Sequence, residues 1–444
     1  MALSANWLDW LVLGVYFVGV FAFGLYMSRR EGASADFFLA GRRLPWYAIA
    51  LSLFATNISS GSLVGMAGQG YTIGLGAGTL QWHAIFTLIL LAFVYLPYYQ
   101  RSSVTTIPEF LELRYGLSTR TLFALAVILF DMIVALPYVF YSAGLVIEVV
   151  FGVPMEWPIV VIALLVAVYT AWGGLTAVVW TDFLQAIFMV AGGVIATLFG
   201  LQAIGGLDAL MAQAADKMHV VLPADHPDYP FPASMFGGYL LVSVYYWCHG
   251  QFIVQRVLGA RAEWDARMGT ILTCYIKLFL PFITVLPGVI AFVLFPDLSR
   301  PDKALPMLVA AVVPAGLSGV IIAALLAAFM SSASSIANSW ATVLANDVYH
   351  RLINREATAK RLILVGRIAT VFLLTAAVIR TPGLRENQSI MTFFQTGLAY
   401  ISTPVIVSSL LNGLTDTRVS ITSCGYGSTA LVRFAAIWIQ VSVP

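Results

Sequence analysis

An all-α polytopic membrane protein is the fold class that the sequence predicts, and its composition, the length of its apolar segments and the placement of its charges all predict it. The 444 residues are 60% hydrophobic and only 10% charged, with a mean hydropathy of +0.90. A soluble domain carries about 25% charged residues. The chain is therefore expected to form one membrane domain, without a nucleic-acid partner.

Eleven segments are long and apolar enough to cross a bilayer, which takes about 20 helical residues. In chain order they are 7–28, 47–72, 77–100, 120–151, 157–176, 180–203, 234–258, 268–296, 314–349, 360–380 and 389–412. With this assignment fifteen Lys and Arg residues, including Arg256, fall in loops on one side and five fall on the other. Loops rich in Lys and Arg stay in the cytoplasm, so the N-terminus is predicted to lie outside.

The second segment is interrupted by a polar patch that runs from Thr56 to Ser62 inside the stretch Ser52 to Gly70. In hydrocarbon each unpaired backbone group costs several kcal/mol, so such a patch is tolerated only where it faces protein or lines a water-filled cavity. We interpret it as a broken helix that lines a cavity. The alternative is a contact between helices through small residues.

The seventh segment, five helices later, carries a second interruption from Tyr246 to Gln251. Broken helices in corresponding places of two halves are typical of inverted-repeat transporters. The expected organisation is a first helix and linker (1–46), a five-helix repeat (47–203), an extracellular loop (204–233), a second five-helix repeat (234–412) and an atypical C-terminal tail (413–444).

A third polar cluster predicts a cation site. On a helix Ala328, Ser331 and Ser332 stand at i, i+3 and i+4, so one carbonyl and two hydroxyls share a face. Facing the carbonyls of Ala55 and Ile58 in the first broken helix, they would form a five-oxygen cage suited to a monovalent ion. The alternative is that the serines only bond to carbonyls one turn earlier.

Lys277 lies ten residues beyond Arg267, which places it roughly 15 Å into the eighth segment. An ionisable group at that depth indicates function, although snorkelling to the interface is the alternative. Asp131 lies as deep in the fourth segment and could either pair with Lys277 or bind a second cation. Neutral hydrogen-bonding groups and an aromatic wall favour an uncharged polyhydroxylated solute, and they come from Gln81, Gln395, Tyr246 and Trp247.

Nothing in the sequence predicts an enzyme. No two of the five histidines have the spacing of haem or metal ligands on one helix face, and phosphate-binding loops and nucleophile motifs are absent.

A series of motifs between residues 35 and 410 resembles the sodium/solute symporter family, and within it the sodium–glucose cotransporters. In order, the motifs are Phe38-Leu39-Ala40-Gly41-Arg42, the stretch Ser52 to Gly70, Thr106-Ile107-Pro108-Glu109-Phe110-Leu111, Trp180-Thr181-Asp182-Phe183-Leu184-Gln185, Tyr246-Trp247-Cys248, Gln251-Phe252-Ile253-Val254-Gln255-Arg256, Tyr275-Ile276-Lys277-Leu278, Met330-Ser331-Ser332 and Asn346-Asp347-Val348-Tyr349.

The resemblance implies a ten-helix core of two inverted five-helix repeats, preceded by one helix and working by alternating access. It implies sodium at the carbonyls of Ala55, Ile58 and Ala328 and the hydroxyls of Ser331 and Ser332, which are the cage residues above. The implied sugar positions are Asn57, Ser62, Gln81, Ser243, Lys277 and Gln395, with Tyr246 as the inner gate and Trp247 beside it.

Three departures from the family accompany this resemblance. Ser62 stands where the family often has His or Gln, and Gln81 stands where it often has Glu. After Pro404 the chain leaves the family pattern, which is expected to mean a shortened C-terminus that lacks the usual flanking helices.

The predicted function is therefore sodium-coupled uptake of a sugar, glucose or galactose, across the plasma membrane. The alternatives are a sodium symporter for an acidic sugar, an amino acid or a vitamin, and a sensor that binds sodium and solute without transport.

Overall fold

The computed structural model describes residues 7–28, 34–314, 316–385 and 390–414, which form a helical protein with no β-strand in these ranges. The helices are α1 (Trp7–Ser28), α2 (Ser34–Leu39), α3 (Trp46–Asn57), α4 (Ser60–Thr72), α5 (Thr79–Leu90), α6 (Leu96–Ser102), α7 (Ile107–Tyr115), α8 (Leu117–Phe130), α9 (Leu136–Phe151), α10 (Glu156–Ile204), α11 (Leu207–Gln213), α12 (Ala233–Phe236), α13 (Gly238–Val244), α14 (Gln251–Leu258), α15 (Glu263–Phe279), α16 (Pro281–Thr284), α17 (Leu286–Leu294), α18 (Ala304–Val312), α19 (Leu317–Val343), α20 (Ala359–Arg380) and α21 (Ile390–Leu414). The predicted C-terminal tail lies outside the described residues, apart from the end of α21.

Several of these helices join into longer spans. A π-helical turn joins α5 to α6, another joins α8 to α9, and a third extends α19 to Ile353. In the part of the chain that the structure describes, six helices are long and apolar enough to cross a membrane, and two bent pairs raise the number to eight. The predicted spans 234–258 and 389–412 correspond to α13 with α14 and to α21, which are not among those eight.

The 49-residue helix α10 is a hairpin of two spans. Gly174 interrupts it with non-helical dihedrals (φ 50°, ψ −152°). Side-chain atoms of Tyr169 and Thr181 both lie within 4 Å of the position that a Cβ on Gly24 would take, whereas residues twelve apart in a straight helix are separated by about 18 Å. The chain therefore reverses at Gly174, a few residues before the predicted gap at 177–179.

Both predicted helix breaks are confirmed. The axes of α3 and α4 meet at 59°, and Ser59 caps α4 by accepting a hydrogen bond from the Ser62 amide at 2.9 Å. Between α13 and α14 the backbone turns at Gly250 (φ −65°, ψ 115°). The polar patch also serves close packing, because a Cβ on Gly61 would overlap the ring of Tyr138.

The predicted span 268–296 is present as a bent pair of helices. Helix α15 begins at Glu263, and the span bends by 49° at Pro281. Proline has no backbone N–H, and its ring clashes with the preceding turn, so it kinks a helix. A short helix that was not predicted, α18, also precedes α19.

Glycines bring the second and eighth predicted spans into backbone contact. A Cβ on Gly70 would overlap the carbonyl of Val285, and a Cβ on Gly288 would overlap that of Ala67. Helices α4 and α17 therefore pack with no side chain between them at these points. We name this contact the α4–α17 seam.

The predicted cytoplasmic face is tied together at α7. Thr106 caps this helix by accepting from the Glu109 amide, and Glu112 forms ion pairs with Arg351 and Arg120. The hydrogen bond from Arg351, with help from Arg120, lowers the pKa of Glu112 from its usual 4.5 to about 2. Glu112 therefore stays ionised throughout the physiological range and joins the spans that begin at α8 and end after α19.

Candidate functional site

A cavity of about 1030 Å³ lies at the two helix breaks. Its lining includes all eight residues predicted for the solute, namely Asn57, Ser62, Gln81, Ser243, Tyr246, Trp247, Lys277 and Gln395. It extends along α4 to Thr72 and reaches the loop residues 227–230 and Pro301. In the predicted orientation these are the extracellular ends, so the cavity extends toward the outer side of the protein.

Lys277 is fully buried at the inner part of this cavity. Its ammonium group donates to Gln81 Oε1 at 2.6 Å and also to Asn57 Oδ1, and it lies 5.1 Å from the centre of the Trp247 ring. These partners are two neutral amides and one aromatic face. The side chain is therefore held inside the site and does not snorkel to the interface.

The second broken helix, α13 with α14, forms another wall of the cavity. Asn57 Nδ2 donates to the hydroxyl of Tyr246 at 3.1 Å, which links the two breaks directly. Ser243, one turn earlier, is 3.1 Å from the hydroxyl of Thr87. Across the cavity, Gln395 Nε2 has no hydrogen-bond partner within the described part of the chain. A polyhydroxylated solute would find donors and acceptors on several sides here.

The five predicted cage residues lie in the last turn of α3, directly after it, and on α19. Ala55, Ile58, Ala328, Ser331 and Ser332 are all buried. Ser332 Oγ donates to the Thr56 carbonyl at 3.1 Å, so α19 touches the last turn of α3. That turn has carbonyls with no N–H of the same helix to accept from, because α3 ends at Asn57.

Ser331 takes part in a second contact, since its hydroxyl donates to Asp182 Oδ1 at 2.6 Å. A hydroxyl that donates its proton still presents lone pairs to a cation. The alternative that both serines bond to carbonyls one turn earlier is not what the structure has, although Ser334 does bond to the Ser331 carbonyl.

A buried ion pair, which sequence reasoning missed, lies beside the cage. Arg256 Nη2 is 3.0 Å from Asp182 Oδ2, and both side chains are fully buried. Ser52 bridges them, accepting from Arg256 at 2.7 Å and donating to Asp182 at 2.6 Å. The assignment of Arg256 to a cytoplasmic loop is therefore wrong. In the sequence, a buried arginine near the end of an apolar helix looks the same as an arginine in the basic loop that follows such a helix.

Asp131 does not pair with Lys277. It is buried in the π-helical turn between α8 and α9, and its Oδ2 has no hydrogen-bond partner among the residues that the structure describes. The hydrogen bonds of Lys277 go to amides instead.

The outer part of the cavity is lined by residues that the sequence did not single out. The rings of His83, Tyr239 and Tyr229 stack in succession, with centroids 6.2 and 5.6 Å apart. Tyr229 also donates to Gln69 Oε1 at 3.1 Å. The predicted extracellular loop (204–233) thus contacts the first broken helix.

Asp302, on the turn before α18, is buried against the start of α21, where it accepts from the Ile390 amide at 3.4 Å. Burial raises the pKa of this carboxyl from 3.8 to about 6, although Arg300 nearby opposes the shift.

Asp302→Asn is expected to remove one pH dependence of stability. Because the folded-state pKa lies above the ordinary one, the carboxyl stabilises the fold at low pH, and this contribution is lost as pH rises from about 4 to about 6. The Tm of the variant, measured in detergent, should therefore rise relative to that of the native chain as the pH increases from 4 to 7. The exposed Asp297→Asn serves as control, and a Tm difference independent of pH for Asp302→Asn would contradict the assignment.

Comparison with known proteins gives three related findings. The model of the sodium:solute symporter family (SSF) matches residues 37–419. A sodium/glucose cotransporter of Vibrio parahaemolyticus is 34% identical over 99% of this chain and 87% of its own length. Sodium/glucose cotransporter 4 of Mus musculus is 33% identical over 92% of this chain, which spans 65% of that relative.

One solved structure extends the comparison to the fold. A Na⁺-coupled sialic acid symporter in a substrate-bound outward-open state superposes with a TM-score of 0.82 over 99% of both chains. At 24% identity this similarity shows a shared fold.

Proposed function

Because this chain belongs to the sodium:solute symporter family, we propose that it couples sodium entry to uptake of a sugar, glucose or galactose, by alternating access. It is a multi-pass protein of the cell membrane. The observation that carries the choice of a sugar is the set of side chains around Lys277, whose hydrogen-bond partners are the neutral amides of Asn57 and Gln81.

The solute site in this proposal lies between the two broken helices. Asn57, Gln81, Lys277 and Gln395 bind hydroxyl groups, while Tyr246 and Trp247 form the aromatic floor. Ser62 and Ser243 complete the lining. Each of these eight side chains offers a donor or an acceptor, and none of them is a carboxylate. This suits an uncharged solute with many hydroxyls.

Sodium in this proposal binds the oxygens of Ala55, Ile58, Ala328, Ser331 and Ser332. The cage joins α3 to α19, and sodium therefore stabilises the arrangement in which the cavity faces outward. Since Asn57 is the last residue of α3, the same arrangement completes the solute site. One charge that moves inward gains about 2.3 kcal/mol per 100 mV.

The test is uptake of radiolabelled hexoses into proteoliposomes, with an inward sodium gradient and with potassium in its place. The expected result is uptake of glucose or galactose that requires sodium. Uptake of neither sugar by a folded protein would overturn the proposal. Competition by carboxylic acids rather than by hexoses would point to an acidic solute at Lys277.

Ser332→Ala is expected to raise the sodium concentration that gives half-maximal uptake about tenfold, because one cage oxygen is lost while the Thr56 carbonyl stays in place. Uptake at saturating sodium should change much less. The matched control is Ser339→Ala, farther along α19. The hydroxyl of Ser339 donates to the Ile336 carbonyl of the same helix. A sodium dependence unchanged by Ser332→Ala would remove this serine from the cage.

A further inference from the structure

The membrane-facing side of the protein carries a groove that is separate from the transport cavity. It has a volume of about 420 Å³ and lies where α20 crosses the first span of the hairpin α10. Its lining is Ala171, Trp172, Arg367, Ile368, Val371 and Phe372. All but one of these residues are apolar, and none of them lines the cavity described above.

Arg367 is the one charged residue in the groove, and its position is fixed by two contacts. Its Nε donates to the Ala171 carbonyl at 2.9 Å, and its guanidinium lies 5.9 Å from the centre of the Trp172 ring. A guanidinium has five N–H donors. In the described ranges no carboxylate forms an ion pair with Arg367. The arginine therefore presents donors and an uncompensated charge to the groove.

The apolar side chains of the groove are exposed at the protein surface. Ile368, Val371 and Phe372 are about half exposed or more, as is Trp172. Ile368 follows Arg367 directly, and Val371 and Phe372 lie about one turn farther along α20, in the direction of the predicted membrane interior. A ligand that fits has an anionic group at one end and a hydrocarbon chain at the other.

The groove also lies at the right depth for such a ligand. Arg367 is in the second turn after Lys360 and Arg361, which are predicted to be cytoplasmic, and Ala171 is three residues before the reversal at Gly174. Basic pockets between helices on the cytoplasmic side are where anionic head groups bind. Arginine matches a phosphate with paired hydrogen bonds, and its charge favours an anionic over a zwitterionic head group.

We propose that this groove is a binding site for an anionic phospholipid, with the phosphate on Arg367 and one acyl chain along Ile368, Val371 and Phe372. The site is independent of the transported solute. A membrane-embedded location, a positive charge and an apolar channel favour the lipid over free phosphate and over a second copy of the chain.

Native mass spectrometry of the detergent-purified full chain tests this, with phosphatidylglycerol and phosphatidylcholine of matched acyl chains as probes. The native protein is expected to bind one phosphatidylglycerol in preference to phosphatidylcholine. Arg367→Gln should weaken phosphatidylglycerol binding about fivefold or more. Val371→Trp, which fills the groove but keeps the arginine, should weaken binding of the same lipid.

The matched control is Arg361→Gln, a change of another cation on the same helix, whose guanidinium lies over the ring of Tyr349. It should leave the affinity within about twofold. An equal loss in Arg361→Gln would show a non-specific charge effect and overturn the site. Displacement of the lipid by inorganic phosphate would overturn it in favour of free phosphate. A change in the dimer fraction of Arg367→Gln, without loss of lipid, would identify a protein interface.

Discussion

Lys277→Ala is expected to lower sodium-dependent sugar uptake about 10- to 100-fold. The variant loses a charged donor in the inner part of the proposed solute cavity, and hydrogen bonds to charged groups contribute about 1.5–3 kcal/mol. It also leaves the carbonyl oxygen of Gln81 without its 2.6 Å partner. Uptake into proteoliposomes, normalised to the amount of reconstituted protein, measures the effect.

Two variants sharpen this result. Lys360→Ala changes an exposed lysine at the start of α20 and should leave uptake unchanged. Lys277→Arg keeps the charge but not the compact ammonium group, so it should restore little uptake. If Lys277→Ala inserts normally and transports like the native protein, the lysine is not part of the solute site.

Arg256→Met is expected to destabilise the fold by about 3–5 kcal/mol. Asp182 would then remain fully buried without its positive partner, and removal of one partner from a buried ion pair has a cost of that order. Ser52 and Ser331 would still donate to the carboxylate, but neither carries a charge. Thermal unfolding in detergent is the measurement.

The ion pair between Arg267 and Glu263 provides the control. Its side chains are 2.5 Å apart, but they are 35% and 44% exposed. Exposed pairs contribute about 0–1 kcal/mol, so Arg267→Met should shift the Tm little. The double variant Asp182→Asn with Arg256→Met should recover part of the loss. Similar small shifts for both arginines would show that water reaches the buried pair.

The sequence allowed both helix breaks and the deep lysine to be predicted, for a common physical reason. Groups such as Asn57, Ser62 and Lys277 are costly in hydrocarbon, so their presence in an apolar span has few explanations. The residues around them then followed from the same argument and from the family resemblance. All eight line the cavity of the folded chain.

The partners of these groups could not be predicted, because they come from distant parts of the chain. Asp182 and Arg256 are 74 residues apart, and each lies within three residues of the end of a predicted span, where a charged residue is ordinary. Asp302 and Tyr229 lie in loops, where a polar residue gives no sign of burial. Pro281 did offer a signal for the bend in its span, since proline kinks a helix.

The α4–α17 seam holds these two helices together as one unit. Their backbones touch at Gly70 and Gly288 without a side chain to yield, so neither helix can slide past the other. Helix α4 starts beside the proposed solute site at Ser60 and runs about 20 Å to its outer end, where a Cβ on Gly68 would lie 3.1 Å from Asp302 Oδ1. A tilt of α4 at the proposed solute site would therefore displace its outer end most, and α17 and the turn at Asp302 would move with it.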